Sequence, residues 1–482
     1  MADGMEAVIG TVELEDARLE TRFRTLVTTL AEHPEQSLPQ ACGDWTHTLA
    51  AYRFFANPDV APEAIREGLA RATAARCQSD ARVLVVQDTT SLDYTSHPKT
   101  AGRGPLEHPA HQGLFVHTGL AVSLAGVPLG AIDQQVWARD PETVGSRHHR
   151  KERPIEGKES AKWLRGLVTT EARLGPAVSV LTVADREADV YELFALAQTL
   201  RGDWLIRARH DRTLVGQEGR LLAAVEAAPV VAHERLEVAR AGERAARVAE
   251  LAVRCATVTL QPPRRAVGVI AQWWQAHLQT ERLAPTVLRP VRVGVVLVTE
   301  VGAPEGVEPL RWLLLTSLPV ETAEQALACV GFYRLRWLVE RYHFVLKSGC
   351  RIERLQLREA ERLERALAVY AAVAWWLLWL TYLARAQPEA PCTIVLEPQT
   401  WQALYATHHK TLVLPAEPPD LRTAVRWIAQ LGGFLARKGD GEPGVQTLWR
   451  GLRRLEDIAT TWTLASHLLS PQSRSQPTKT SV

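Results

Sequence analysis

The sequence has no strong excess of either charge, and this limits how it could bind nucleic acid. Its 56 lysine and arginine residues and 54 aspartate and glutamate residues leave a formal net charge of +2 at pH 7. A protein that coats nucleic acid by bulk attraction is therefore excluded, because such binding requires a large basic excess. If this chain binds DNA, its basic groups must be arranged locally.

Signals of secretion and of nucleotide binding are also lacking. The 6 cysteines contain no CxxC pair, so neither a disulfide framework nor a metal clip is indicated. The first residues lack the basic and apolar blocks of a signal peptide. We find no glycine-rich loop that would cradle a nucleotide phosphate, so no nucleotide cofactor is expected. These absences predict a cytoplasmic protein.

One apolar segment is about long enough to cross a bilayer. Ala366–Ala384 carries no charged residue and approaches the roughly 20 residues that a transmembrane helix needs. On its left, however, Leu355–Arg365 is a charged run that leads into it with unbroken helical spacing. A helix buried beneath a sheet therefore fits better than a membrane span. The membrane alternative predicts a chain that is insoluble without detergent.

The chain of 482 residues is longer than one hydrophobic core usually serves. Helical spacing over Leu14–Glu32, around Ala51–Phe55 and over Asp59–Ala75 predicts a small helical module, residues 1–75. Alternating strands and helices then predict an α/β domain, residues 76–387. This domain includes a hairpin, Leu114–Leu124 and Val127–Trp137, joined by Ala125 and Gly126. The remaining predicted parts are a β-rich insertion at about 210–305, a helical region at 388–469 and a disordered tail from Ser470.

Two aspartates follow apolar strand-like runs in the α/β region. Arg82–Val86 leads to Asp88, and Val178–Ala184 leads directly to Asp185. A carboxylate at a strand end is held rigidly yet exposed, which suits a divalent metal ligand, and ligands gather at such ends in α/β folds. Either aspartate could instead be the N-cap of the following helix, which is a common use of aspartate.

A third acid lies on a long predicted helix, Ala323–Lys347. Its spacing places a carboxylate, two cations and a phenol on one helix face, because steps of three, four and seven residues return to the same side. The alternative is an ordinary surface ion pair between Arg336 and Glu340, which would contribute little. The residues on this face are Tyr333, Arg336, Glu340 and Lys347.

Three carboxylates suit metal-dependent phosphoryl transfer. Two divalent ions held about 3.5–4 Å apart stabilise both the attacking and the leaving oxygen. Hard oxygen ligands favour Mg²⁺, and Mn²⁺ could substitute for it. Arg336 and Lys347 could hold backbone phosphates. Asp189 or Glu187 could replace Asp185 as a ligand, although the strand-end position favours Asp185.

Several separated motifs, taken in order, resemble one family. The chain is similar to the cut-and-paste DDE transposases of the insertion-sequence-four family, which includes the Tn-five transposase, from Leu14 to about Leu468. One departure is Gln87, where relatives often have an acid. The matching segments are Glu15–Arg22, Ala51–Pro58, Gln87–Ser91, Lys158–Trp163, Ala184–Asp189, Arg311–Thr316, the Tyr-Arg-Glu-Lys face and Leu431–Phe434.

This resemblance implies a ribonuclease-H-like catalytic core with a β-rich insertion between the second and third acids. A helical N-terminal end-binding domain and a helical C-terminal dimerisation domain would flank it. Asp88, Asp185 and Glu340 would be the catalytic residues and would bind two Mg²⁺ ions. The implied reaction excises a mobile element from double-stranded DNA through a hairpin intermediate and joins it to target DNA. The implied assembly is a homodimer on DNA, associated with a bacterial nucleoid.

The resemblance also implies DNA contacts. Trp312 would stack on a flipped base, although the sequence alone favours a core position at the start of a strand. Some of the implied arginines could instead be solvated or ion-paired. The DNA contacts predicted besides Trp312 are Tyr333, Arg336 and Lys347, Arg207 and Arg209 after the second acid, and Arg18, Arg22 and Arg53 near the N-terminus.

Two further hypotheses keep the same fold. A decayed transposase would bind DNA without cutting it, but mere binding does not need three acids. A structure-specific nuclease would cut DNA without joining it. Metal-dependent cleavage and strand transfer distinguish these from an active transposase.

Overall fold

The structure is a computed structural model that describes residues 9–143, 158–216, 219–238, 245–263 and 288–469, together with Met5 and Ile155. Two expectations lie outside the described residues. One is the disordered tail from Ser470. The other is the part of the predicted β-rich insertion at residues 264–287.

The N-terminal region is helical, as the spacing predicts. Its helices are α1 (Ala17–Glu32), α2 (Leu38–Cys42), α3 (Trp45–Ala56) and α4 (Pro62–Cys77). Aspartates are the N-caps of α1 and α3. The carboxylate of Asp16 accepts from the N–H of Arg18, and that of Asp44 accepts from the N–H of His47. Pro62 begins α4, where its missing N–H costs nothing.

A ten-stranded sheet forms the centre of the described chain. Its spatial order is β2-β3-β1-β5-β6-β10-β9-β8-β7, and β4 pairs with β3 at one side. The predicted hairpin is confirmed as β3 and β4, with Gly126 at a φ of 80° in the turn between them. The strands are β1 (Arg82–Asp93), β2 (Gly104–Pro105), β3 (Gln112–Ser123), β4 (Pro128–Trp137), β5 (Ser179–Ala184), β6 (Asp203–Arg207), β7 (Val230–Val238), β8 (Arg247–Leu260), β9 (Val291–Val301) and β10 (Arg311–Thr316).

Strands β4, β3, β1, β5 and β6 form the part of the sheet expected of a ribonuclease-H-like core. The hairpin pairs antiparallel with β1, whereas β1, β5 and β6 run parallel. Parallel neighbours need crossover connections, and helices supply them here. The connecting helices are α5 (Ala161–Leu174) before β5 and α6 (Tyr191–Ala197) before β6.

The strands of the predicted insertion, together with β10 just beyond its predicted end, extend this sheet instead of building a separate one. β10 pairs antiparallel with β6, and β9 pairs with β10. β8 and β7 follow, with a short helix α7 (Leu221–Glu226) preceding them in the chain. The ribonuclease-H-like part of the sheet therefore continues into the insertion without a break in hydrogen bonding.

The predicted single helix Ala323–Lys347 is not continuous. It is divided into α8 (Ala323–Leu335) and α9 (Trp337–Phe344), followed by a π-helical turn, Val345–Gly349. At the junction the N–H of Arg336 bonds to the carbonyl of Tyr333, three residues back, so the chain tightens there. Lys347 lies within this π turn.

The apolar segment is a core helix, α10 (Ala360–Ala386). It is long and apolar enough to cross a membrane, but 89% of its most apolar window is buried inside the protein. The predicted helical run from Leu355 is wrong up to Glu359, because those residues are not helical and Glu359 bridges to Ala101. The buried Arg365 donates to the carbonyls of Val60 and Phe55 and so ties α10 to the N-terminal helices.

Three helices complete the described chain: α11 (Pro398–His409), α12 (Leu421–Leu431) and α13 (Val445–Leu469). Helices α12 and α13 approach closely, because Gly432 lies against the Thr447 carbonyl and Gly451 against the Ile428 carbonyl. Both helices contact α10, so one hydrophobic cluster runs from the N-terminal helices through the sheet to the C-terminal helices.

The close approach of α12 and α13 gives a stability prediction. In Gly451→Ala, the added Cβ would overlap the carbonyl oxygen of Ile428 and force the helices apart. We expect the free energy of unfolding to fall by about 1–3 kcal/mol, measured by urea denaturation.

The matched control is Gly331→Ala on α8. Within the described residues and apart from its own helix backbone, no heavy atom lies within 4 Å of the added Cβ. Alanine should stabilise that helix by about 0.5–1 kcal/mol. Equal effects of the two substitutions would contradict the close packing of α12 against α13.

Candidate active site

Asp88 lies inside a strand and not at its end. The prediction that the strand stops before Asp88 is wrong, because β3 pairs with β1 as far as Asp93, opposite Gly113. On the other side, the pairing with β5 ends at Gln87 and Ala184. Asp88 is therefore the first residue of β1 beyond its parallel neighbour, which leaves its side chain beside the start of the loop that follows β5.

Asp185 follows β5 directly, as predicted. Since Gln87 pairs with Ala184, Asp88 and Asp185 are adjacent positions on neighbouring parallel strands. The helix-cap alternative is also present, because a carboxylate oxygen of Asp185 accepts from the N–H of Glu187 at 2.8 Å and caps a short 3-10 turn. This bond holds the Asp185 side chain in place at the strand end.

The acids near Asp185 have other partners. The fully buried carboxylate of Asp189 accepts from the N–H groups of Arg209 and His210 and pairs with the Arg212 side chain. Glu187 is exposed and lies 3.5 Å from Lys162. Asp189 is therefore an anchor for the loop after β6, and it is a poor substitute for Asp185 as a ligand.

Glu340 is brought to Asp88 by Arg336. The guanidinium of Arg336 donates to Glu340 at 2.5 Å and lies 3.7 Å from the carboxylate of Asp88. The surface-pair alternative does not describe this contact, because only 14% of the Arg336 side chain is exposed. Arg336 thus joins the helix that carries the third acid to the strand that carries the first.

The pKa of Asp88 responds to burial and to the acids around it. It is raised from 3.8 to about 7, mainly by burial and in smaller part by the charges of Asp185 and Glu340, while the Thr89 N–H and Arg336 oppose the rise. The three acids singled out in the sequence therefore converge at one place. We call Asp88, Asp185 and Glu340 the carboxylate cluster.

The carboxylate cluster has the chemistry of a divalent cation site. Its donors are all hard oxygens, as Mg²⁺ prefers, and a bound cation would favour the ionised form of Asp88, whose pKa burial raises. Among the described residues, no group of three or more histidine, cysteine, aspartate or glutamate side chains is arranged to hold a metal ion as it stands. Instead, Arg336 supplies the positive charge between Asp88 and Glu340.

Lys347 contacts the strand of Asp88 from the π turn. Its Nζ donates to the carbonyl of Ser91 at 2.9 Å and lies 3.2 Å from Glu353. The same Glu353 oxygen accepts from the N–H of Asp93 at 2.8 Å. Lys347 is therefore anchored beside β1, a few residues beyond Asp88.

Trp312 and Arg207 both lie beside Tyr333, which neighbours Arg336. The Trp312 ring is partly buried, 5.4 Å from that of Tyr333, so the predicted core position is only half correct. Burial raises the pKa of Tyr333, while the neighbouring Arg336 and Arg207 oppose the rise. Arg207 donates to the Arg311 carbonyl, and the Arg209 side chain is exposed.

The N-terminal arginines lie on two helices. Arg18 and Arg22 are on α1 and Arg53 is on α3. Arg18 and Arg53 are exposed, whereas Arg22 is half-buried. No contact among the described residues joins these three arginines to the carboxylate cluster.

Two buried histidines flank the carboxylate cluster, and the sequence did not single them out. His117 on β3 contacts Thr89 and Gln87, and burial lowers its pKa well below the ordinary value of 6.5. His343 on α9 contacts Thr118, and burial lowers its pKa to about 3. Both rings are therefore neutral near pH 7. In the sequence only His343 carried a weak signal of a place near the site, because it lies about one helical turn after Glu340.

A half-buried cluster of acids at the carboxyl end of a parallel strand pair, within a ribonuclease-H-like sheet, defines a nucleic-acid-processing enzyme. Three family models match the chain in order: Transposase DNA-binding at residues 1–60, Transposase DDE domain at 161–377 and Transposase Tn5 dimerisation domain at 372–465. The chain belongs to the Tn5-like DDE transposases. Asp185 and Glu340 lie within the DDE match, and Asp88 precedes it.

The raised pKa of Asp88 gives a pH prediction. A folded-state pKa of about 7, against the ordinary 3.8, means that ionising this carboxyl opposes folding. The protonated Asp88 carboxyl makes its full contribution to stability below its ordinary pKa of 3.8, and this contribution is lost as pH rises from there towards about 7. Asp88→Asn removes this loss. Without divalent cations, the variant should gain on the order of 1–3 kcal/mol over wild type between about pH 4 and pH 8.

Urea denaturation at several pH values measures this difference, and Asp59→Asn is the control for removing an exposed carboxylate elsewhere. A difference between Asp88→Asn and wild type that stays constant with pH would show that Asp88 titrates normally.

Proposed function

We propose that this transposase excises a mobile element by cutting its DNA ends and joins the freed 3′ ends to target DNA. The observation that carries the proposal is the convergence of Asp88, Asp185 and Glu340. Simple DNA binding gives no reason to hold three acids together, because their repulsion weakens the fold. The proposed assembly is a homodimer on paired ends, acting in the cytoplasm of a bacterium at the nucleoid.

The three carboxylates would hold two Mg²⁺ ions, or Mn²⁺ in their place. When bound, these ions would stabilise the charge on the attacking and leaving oxygens. Arg336 balances the acids in the cation-free protein. With the acids balanced by cations instead, its guanidinium would be available to a DNA phosphate, which its planar fork suits.

The proposed reaction is a series of in-line attacks on phosphorus. Water cuts the first strand and frees a 3′-hydroxyl, which attacks the opposite strand to form a hairpin. A second water opens the hairpin, and the 3′-hydroxyl then attacks target DNA. All steps share one geometry, so one carboxylate cluster serves them in turn.

The surrounding residues would hold the DNA. Trp312, beside Tyr333, would stack on a base flipped from the hairpin. Arg207, Arg209 and Lys347 would contact the backbone near the cut. Arg18, Arg22 and Arg53 would contact the element end through the N-terminal helices, and in the dimer one protomer would hold the end that the other cuts.

Cleavage of linear DNA that carries the element's own ends, with Mg²⁺, tests the proposal. Wild type should give excised and hairpinned products, and Glu340→Ala should lower the rate by about 10³-fold or more because a cation ligand is lost. The control is Glu324→Ala, an exposed glutamate at the start of α8. End binding without cleavage by wild type would favour a decayed, binding-only protein, and equal cleavage by wild type and Glu340→Ala would exclude Glu340 as a ligand.

Salt dependence tests the N-terminal contacts. If Arg53 neutralises a phosphate, Arg53→Ala should lower the slope of log affinity against log salt by about 1, with similar weakening for every sequence. Fluorescence anisotropy with end DNA measures this slope. The control is Arg71→Ala, an exposed arginine of the same helical region that donates to the Thr11 carbonyl. An unchanged slope for Arg53→Ala would exclude the contact.

A further inference from the structure

His117 joins the two residues on either side of Asp88. Its Nδ1 lies 2.9 Å from the hydroxyl of Thr89, and its Nε2 lies 3.1 Å from Oε1 of Gln87. An amide oxygen only accepts, so Nε2 carries the proton, and in the neutral ring Nδ1 accepts from the Thr89 hydroxyl. The ring is fully buried and makes a T-shaped contact with Trp163, with the two ring centroids 4.6 Å apart.

The Gln87 side chain has little room to move away from His117. It lies against α5 at Gly166, where an added Cβ would be 2.6 Å from its Oε1. The contact places Gln87 between a helix on one side and the His117 ring on the other. On this face of the sheet, one imidazole therefore fixes the backbone of β1 immediately before and after Asp88.

His343 makes a corresponding contact on the opposite face. Successive strand residues point to opposite sides, so Asp88 faces away from Gln87 and Thr89. Thr118 is paired directly opposite Asp88 and shares its face. Its hydroxyl lies 3.2 Å from Nε2 of His343, three residues after Glu340 on α9.

We propose that His117 and His343 are positioning residues that fix Asp88 relative to Glu340 from the two faces of the sheet. The inference rests on the proposed function. His117 holds the strand that carries Asp88, and His343 ties the helix that carries Glu340 to the neighbouring strand. Neither ring touches DNA or a cation in this role, and neither needs to gain or lose a proton.

The physical reason is the repulsion within the carboxylate cluster. A site that binds cations must hold its ligands within about 0.5 Å of the productive geometry. Arg336 cannot provide this alone, because in our proposal it leaves Asp88 and Glu340 when cations are bound. The histidine bonds use other atoms and persist in both states.

A double-mutant cycle tests the His343 contact. Thr118→Val removes the hydroxyl with little change in shape, and His343→Leu removes the ring nitrogen. Each should slow single-turnover cleavage of end DNA and weaken Mn²⁺ binding by about 10- to 100-fold. Because both remove the same bond, the double variant should be no worse than the worse single variant.

Conservative variants separate positioning from general destabilisation. His343→Gln keeps a nitrogen near the position of Nε2, and Thr118→Ser keeps a hydroxyl, so each should recover to within a few-fold of wild type. His117→Gln can keep one of the two bonds, so its cleavage rate and Mn²⁺ affinity should lie between those of wild type and His117→Leu. If a leucine variant does not fold, these conservative variants still test the inference.

Three measurements on the full-length protein give distinct outcomes. They are Mn²⁺ affinity by calorimetry, the rate of single-turnover cleavage, and the Kd for end DNA without divalent cations. In the histidine variants, this Kd should stay within about 2-fold of the wild-type value. Suppose that wild type binds Mn²⁺ and cuts DNA. If the histidine variants then bind Mn²⁺ and cut as well as wild type, or if the effects in the double-mutant cycle are additive, the positioning inference is wrong and the proposed function stands. If wild type neither binds Mn²⁺ nor cuts, the proposed function fails and the inference fails with it.

Discussion

Repulsion among three carboxylates is the constraint on which the described site depends. Asp88, Asp185 and Glu340 come from two strands and a helix that are distant in sequence, and burial, with a smaller contribution from the charges of Asp185 and Glu340, raises the pKa of Asp88 to about 7. Acids that are held together in this way would separate unless the backbone around them were fixed. The strand pairing, the Asp185 cap, the Arg336 bridge and the two buried histidines each oppose that separation.

That rigidity extends beyond the sheet, because the three matched regions share one core. Helix α10 contacts the N-terminal helices, strand β4 and the C-terminal helices, and its Arg365 donates to carbonyls of the N-terminal region. The side chain of Glu35, just beyond α1, accepts from the indole of Trp449 on α13. The DNA-binding, DDE and dimerisation regions are therefore coupled by direct packing and do not behave as separate modules on linkers.

Local patterns predicted the parts of the structure that depend on neighbours in sequence. The hairpin, the position of Asp185 and the burial of α10 followed from turn residues, apolar runs and helical spacing. The length of β1 did not, since Gln87–Ser91 are all polar and their place in the strand follows from their pairing with β3. The division at Arg336 and the π turn also depend on tertiary contacts, which spacing alone does not encode. The roles of His117 and His343 needed the strand register, because their partners are distant in the chain.

The extension of the sheet by the insertion has a consequence for aggregation. A sheet that ended at β6 would expose unpaired backbone groups next to Asp185, where another chain could add a strand. Four further strands, β10, β9, β8 and β7, move that free edge roughly 20 Å from β6. Edge-to-edge association would then occur far from the strands that carry Asp88 and Asp185, and changes in the length of the insertion would alter the edge of the sheet without altering its centre.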